Sequence, residues 1–366
     1  MWMDDASVRR YLSTILNISK SVTLTDGHVH PYEVMYDQGR YEPNSQTEGV
    51  FSTGNVKYVP PRIGSFECNE GIGFSSDASE ERAERMMLLA LRCLYVHSGP
   101  RTCMDQAMIA GIKRLVLLPV AQPGRTAETR LAEMARIFGG DPRFILGYSL
   151  PNTLAAEEVE EDVRRNRGIY GIEVLKVHPN LSGHDLSSTA GLDRVNALLD
   201  SSKKNNLPVI IHGGPSPRMK CAAYRNNGVL QNLAKIDFGR TDWPVVIAHA
   251  GVYGLSFEEV QSAAIPILVK LLNKHEHLFI DTSSLSLSSI EVILKTVDSR
   301  RIIFGSDAFY EYSWKSAVRI FSVIEKIFSK YEDMFARIVG QNANNIYPLK
   351  DDGNARTYDD QILPIS

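Results

Sequence analysis

The sequence predicts an α/β protein whose eight parallel strands close into a (β/α)8 TIM barrel, with a long insertion after the first strand. Three observations carry that expectation. Short β-branched or apolar runs, bounded by Gly, Pro, Asp or Asn, recur along the chain as buried parallel strands do. Between them lie amphipathic stretches of helical length. From the second strand on, the strand ends also return every 26 to 37 residues, near the roughly 30 residues that one strand–helix unit occupies. Eight units in series indicate closure, because an open sheet of this kind more often stops near about six strands.

Residues 4–15 read as a short helix ahead of the barrel, and 23–30 as the first strand. The second strand, 114–120, comes late. From His30 to Leu117 is 87 residues, about 50 more than one unit needs. The excess includes 38–79, a segment rich in Gly, Pro, Ser and Asn that carries Tyr41, Phe51, Tyr58, Phe66 and Phe74. It follows the C-terminal end of a strand, so it is expected to cap the barrel mouth and shape a substrate site.

The remaining strands are 144–150, 172–178, 208–212, 244–249, 278–282 and 301–307. Residues 127–138 and 192–205 show helical spacing between them. Helices over 314–328 and 331–339 close the ring, and about 351–366 is a polar tail. The whole of 1–366 is expected to form one domain.

Composition narrows the function. Forty basic side chains stand against 43 acidic ones, a formal net charge of −3 over 366 residues. Such a balance has no field for holding phosphate backbones or anionic lipid, so neither nucleic acid nor membrane is an expected partner. No apolar run reaches the roughly 18–20 residues of a membrane helix. The start, Met-Trp-Met-Asp-Asp, lacks the basic opening and cleavage site of a secretory signal. Four scattered cysteines make no disulfide framework. A reducing cytoplasm is the expected compartment.

Nine histidines occur, and five of them (His28, His30, His178, His212 and His249) lie at C-terminal ends of expected strands, as does Asp307. In a barrel those ends converge on one small volume. One histidine at a strand end is usually structural; five with an aspartate are not easily explained that way. His28 and His30 are two residues apart on a strand, so both imidazoles face the same side and can hold one metal.

Asp26-Gly27-His28-Val29-His30, Lys176-Val177-His178-Pro179, His212-Gly213-Gly214, His249-Ala250-Gly251 and Gly305-Ser306-Asp307 resemble, in order, the strand-end motifs of the amidohydrolase superfamily. The nearest branch is the one containing the predicted TIM-barrel metal-dependent hydrolases and the metal-dependent decarboxylases. Gly340-Gln341-Asn342-Ala343-Asn344-Asn345-Ile346-Tyr347 resembles that branch's final helix. The resemblance implies His28, His30, His212 and Asp307 around one divalent metal, zinc by preference, with His249 beside the bound water or substrate. Zinc lowers the pKa of bound water to about 7. Asp307 is then the expected proton acceptor, and His249 polarises a carbonyl or shuttles the proton.

Lys176 leaves a second arrangement open, in which a carboxylated lysine bridges two metals. His178 shares its strand face and is a candidate substrate contact, as are Arg218, Tyr253 and Tyr310. The expected function is hydrolysis of an amide, ester or lactone of a small organic molecule. Decarboxylation on the same barrel is the alternative, and a non-catalytic binding barrel is a third reading. Homo-oligomer formation is left open.

Overall fold

The computed structural model describes residues 2–30, 66–67, 100–121, 124, 128–216, 222–308 and 311–347. Eight parallel strands run through them: β1 (Leu24–Val29), β2 (Ile112–Leu117), β3 (Phe144–Ser149), β4 (Val174–Val177), β5 (Val209–His212), β6 (Val245–Ala248), β7 (Leu278–Asp281) and β8 (Ile302–Ile303). Each pairs with the next in chain order. The end strands then meet. Gly27 donates its N–H to the Phe304 carbonyl at 3.0 Å, Asp307 donates to the His28 carbonyl at 2.9 Å, and Val29 bridges Ala308 in parallel. The expected (β/α)8 barrel is what the chain forms.

The strands alternate as a barrel wall must. Along β2, Leu115 and Leu117 pack outward against the helices. Val116, followed by Leu118 just past the strand end, packs inward with Ile145, Val174, Ile210, Val246 and Ile303. A fully buried Val or Ile contributes about 1.5–3 kcal/mol, so this inner layer makes a packed floor beneath the strand ends.

Several boundaries differ from expectation. The sixth strand stops directly before His249, whose left-handed backbone (φ 55°) ends the ladder; the eighth ends earlier, at Ile303, and Asp307 beyond it is also left-handed (φ 60°). The last helix does not stop at residue 339. Tyr331–Ala336 runs through a wide turn, Arg337–Gln341, into Asn342–Ile346. The amide of Asn342 holds that extension, donating to the carbonyls of Ser299 and Ile302 at 2.7 Å each. Ala343, Ile346 and Tyr347 thereby join the inner layer.

A two-residue strand, Trp2–Met3, pairs antiparallel with Phe66–Glu67, a ribbon that the sequence did not suggest. Otherwise the expected cap (38–79), like Arg218, Tyr310 and the tail (351–366), lies outside the described residues.

Candidate metal centre

The end of β1 delivers two imidazoles to the mouth with their inner nitrogens already occupied. Nδ1 of His28 lies 2.8 Å from Oδ2 of Asp281, and Nδ1 of His30 lies 2.6 Å from the Leu118 carbonyl. An ionised carboxylate and a carbonyl only accept, so each ring carries its proton on Nδ1. The two Nε2 lone pairs then face one another at 2.9 Å. Burial drives the His30 pKa well below its ordinary value, with His28 and Lys176 adding to the effect. A shared proton is therefore disfavoured; the pair calls for a cation.

Asp307 stands opposite. Its Oδ1 is 3.6 Å from His30 Nε2 and 3.8 Å from His28 Nε2. The other oxygen accepts the Ser284 hydroxyl at 2.6 Å. Lys176 is fully buried, with Nζ 3.2 Å from His28 Nε2. Burial lowers its pKa to about 8, opposed by Asp281 and Asp307.

His249 begins the turn after β6. Its Nδ1 faces the Ser283 carbonyl at 3.0 Å and the Ser283 hydroxyl at 2.8 Å, so Nε2 is left as the acceptor. His212 Nδ1 lies 3.1 Å from that Nε2 and donates to it. The remaining nitrogen of His212, Nε2, is buried with no hydrogen-bond partner. Burial lowers the His249 pKa to about 4 and those of His212 and His178 well below normal. These rings are neutral donors of lone pairs.

His28, His249 and Asp307 each offer a ligand atom within 4.8 Å of the others, with His30 against two of the three. The expected ligand His212 reaches this group through His249. His178 stacks on His212, ring centroids 3.9 Å apart, and accepts the Leu181 N–H at the start of a short helix. The Tyr253 ring is 5.0 Å from His249 and 5.5 Å from His212.

The donors suit a divalent cation. Neutral imidazole and carboxylate are the usual ligands of zinc; His212 Nε2 is buried without a partner, and the Nε2 atoms of His28 and His30 face one another with Lys176 Nζ beside the former. Gly305 permits the close fit, since a Cβ there would lie 2.7 Å from that of His28.

Sequence reasoning missed the carboxylates that brace the centre. Buried Asp281 accepts from His28 on one oxygen. On the other it accepts the N–H groups of His249 (2.7 Å) and Ser283 (3.0 Å). Buried Asp26 accepts the Ser306 N–H at 3.0 Å and the hydroxyls of Ser306 and Ser313 at 2.5 and 2.6 Å. It thus ties β1 to the residue before Asp307. Asp281 had a readable signal: it is an acidic residue ending a buried run, as Asp307 is.

A family model described as Amidohydrolase matches residues 25–349. No curated protein matches the chain. Among solved structures, a zinc-bound amidohydrolase from Burkholderia multivorans is 14% identical with a TM-score of 0.55, covering 90% of this chain and 100% of its own. A 5-carboxyvanillate decarboxylase from Sphingomonas paucimobilis is 14% identical with a TM-score of 0.52 and the same coverage of both chains. A 2,6-dihydroxybenzoate decarboxylase, solved with 2,6-dihydroxybenzoate, is 14% identical with a TM-score of 0.53, covering 75% of this chain and 96% of its own. These likenesses establish the fold. The family match spans the barrel from its first strand to its final helix, and the chain belongs to the amidohydrolase family.

Proposed function

We propose that His28, His30, His212 and Asp307 hold one divalent cation, zinc by preference, and that the enzyme hydrolyses an amide, ester or lactone of a small organic molecule. The observation that carries this reading is the pair of Nε2 lone pairs 2.9 Å apart beside the Asp307 carboxylate. When bound, the cation supplies Lewis-acid chemistry, polarising an oxygen of water or substrate.

The protein's own groups do the rest. Asp307 accepts the proton of the attacking water, a task that an ionised carboxylate at the ligand cluster can perform. His249, held through Nδ1 by Ser283, keeps a neutral ring beside Asp307 to pass that proton towards the leaving group. His178 and Tyr253, flanking His212 and His249, are the candidate substrate contacts among the described residues. The ammonium of Lys176 balances the carboxylates; carboxylated, the same residue would instead bridge two cations.

Decarboxylation is the second reading, favoured by the decarboxylases among the similar structures. There the bond between carbon and the carboxylate breaks, carbon dioxide leaves, and an acid of the protein, the Lys176 ammonium, returns a proton to carbon. Among the described residues no helix is long and apolar enough to cross a membrane, and the cytoplasm is the proposed location.

The test is metal analysis of the purified protein followed by a substrate screen in ¹⁸O-labelled water. Hydrolysis places one labelled oxygen in the product with about one metal per chain. Release of carbon dioxide with no label in the remaining organic product selects decarboxylation. Failure to bind any divalent ion would overturn both.

A further inference from the structure

Among the described residues, five other than glycine have left-handed backbone: Asn206, His249, Ala250, Ser284 and Asp307. Asn206 caps a helix. The other four surround the candidate centre, at the ends of β6, β7 and β8. Strain of this kind persists where something else over-determines the geometry.

At His249 and Asp307 the side chains explain it. Ser284 (φ 51°) is different. Glycine would adopt that backbone without the penalty that a Cβ brings, so the turn alone gives no reason for a serine. What the position gains is a hydroxyl, which donates to Oδ2 of Asp307 at 2.6 Å.

We infer that Ser284 is a positioning residue for the metal centre: its hydroxyl holds one carboxylate oxygen of Asp307 and so presents the other to the cation held by His28 and His30. This rests on the reading of Asp307 as a ligand. A carboxylate on its own can turn about its terminal bond and offer either oxygen. With Oδ2 held, Oδ1 is the oxygen directed at both imidazoles, 3.6 and 3.8 Å away. Ser283, the preceding residue, braces Asp281 through its hydroxyl and His249 through its carbonyl. The two serines after β7 therefore align groups from both neighbouring strands: Ser283 the histidine after β6, Ser284 the aspartate after β8.

The experiment compares Ser284→Gly and Ser284→Ala with wild type and with Asp307→Ala. The readouts are zinc affinity by competition with a chromophoric chelator, the absorption spectrum of the cobalt-loaded protein, and melting of the metal-free protein. Glycine removes the hydroxyl and the strain together but loosens the unfolded chain, so metal-free melting should stay within about 2 °C of wild type. Alanine removes the hydroxyl while keeping the Cβ. Both variants should bind zinc about 10–100-fold more weakly and shift the cobalt spectrum. Wild-type zinc affinity and an unchanged spectrum in either folded variant would overturn the role of Ser284. If Asp307→Ala also binds zinc like wild type, the ligand reading itself falls; if Asp307→Ala alone is weakened, only the positioning role falls.

Discussion

Replacing Asp281 by asparagine should damage the metal centre without touching a ligand. Burial alone would raise the Asp281 pKa, but the hydrogen bonds it accepts from His28 and Ser283 help to hold it well below the usual carboxylate range. Its two oxygens receive four kinds of donor: His28 Nδ1–H, the backbone N–H of His249, and both the N–H and the hydroxyl of Ser283. Asparagine keeps one acceptor and turns the other into an amide donor. If its oxygen stays with the backbone donors, its NH₂ confronts His28 Nδ1–H. His28 must then move its proton to Nε2, which removes the lone pair facing His30. If the amide flips, the N–H groups of His249 and Ser283 lose their acceptor and the turn after β6 loosens.

Either way a buried charge-assisted bond is lost, about 1.5–3 kcal/mol. At about 1.4 kcal/mol per factor of ten, zinc affinity should fall by roughly 10–100-fold. The assay is chelator competition at 25 °C on folded protein, with denaturant unfolding of the metal-free form run in parallel. A folded Asp281→Asn protein that binds zinc within twofold of wild type would refute the tautomer argument on which the centre is built.

Two further outcomes are expected. Asp307→Asn should fold and load metal yet turn over about 10²–10⁴-fold more slowly per bound metal, and excess zinc should not rescue it as it should partly rescue His28→Ala; near-normal turnover in the loaded Asp307→Asn protein would remove the aspartate from proton transfer. His184 lies away from the ligand group, donating from Nε2 to the Leu150 carbonyl at 2.9 Å, and burial lowers its pKa from the ordinary value of 6.5 to about 4. The unfolded chain binds this proton first, so the stability from a neutral His184 is complete above pH 6.5 and declines as pH falls towards 4, by about 2 kcal/mol at pH 5. Urea midpoints at pH 7 and pH 5 should show a shallower decline in His184→Gln, and equal declines would count against the assignment.

What was legible in the sequence was whatever repeats or sits locally. The eight apolar runs and their spacing announced the barrel, because a strand buried on both faces must be apolar wherever it lies. His28 and His30 declared a shared face, because side-chain direction in a strand alternates strictly. The convergence of His178, His212, His249 and Asp307 followed from strand ends alone, since barrel closure brings those ends together.

Partnership was not legible. Nothing near Asp281 in the chain says that it grips His28, 253 positions away, or that the Asp26 carboxylate meets Ser306 and Ser313. These contacts depend on which strands become neighbours when β8 returns to β1. The same holds for the final helix: its motif was visible, but its wide turn and the entry of Tyr347 into the barrel floor depend on the gap that closure leaves beneath the inner layer. The sequence by itself therefore determined the barrel and the stock of histidine and aspartate side chains at its mouth, because both are written in local pattern. Only the tertiary structure decided which nitrogen of each histidine faces the centre, because a tautomer is chosen by the hydrogen-bond partner on the ring's other side, and folding brings that partner from elsewhere in the chain.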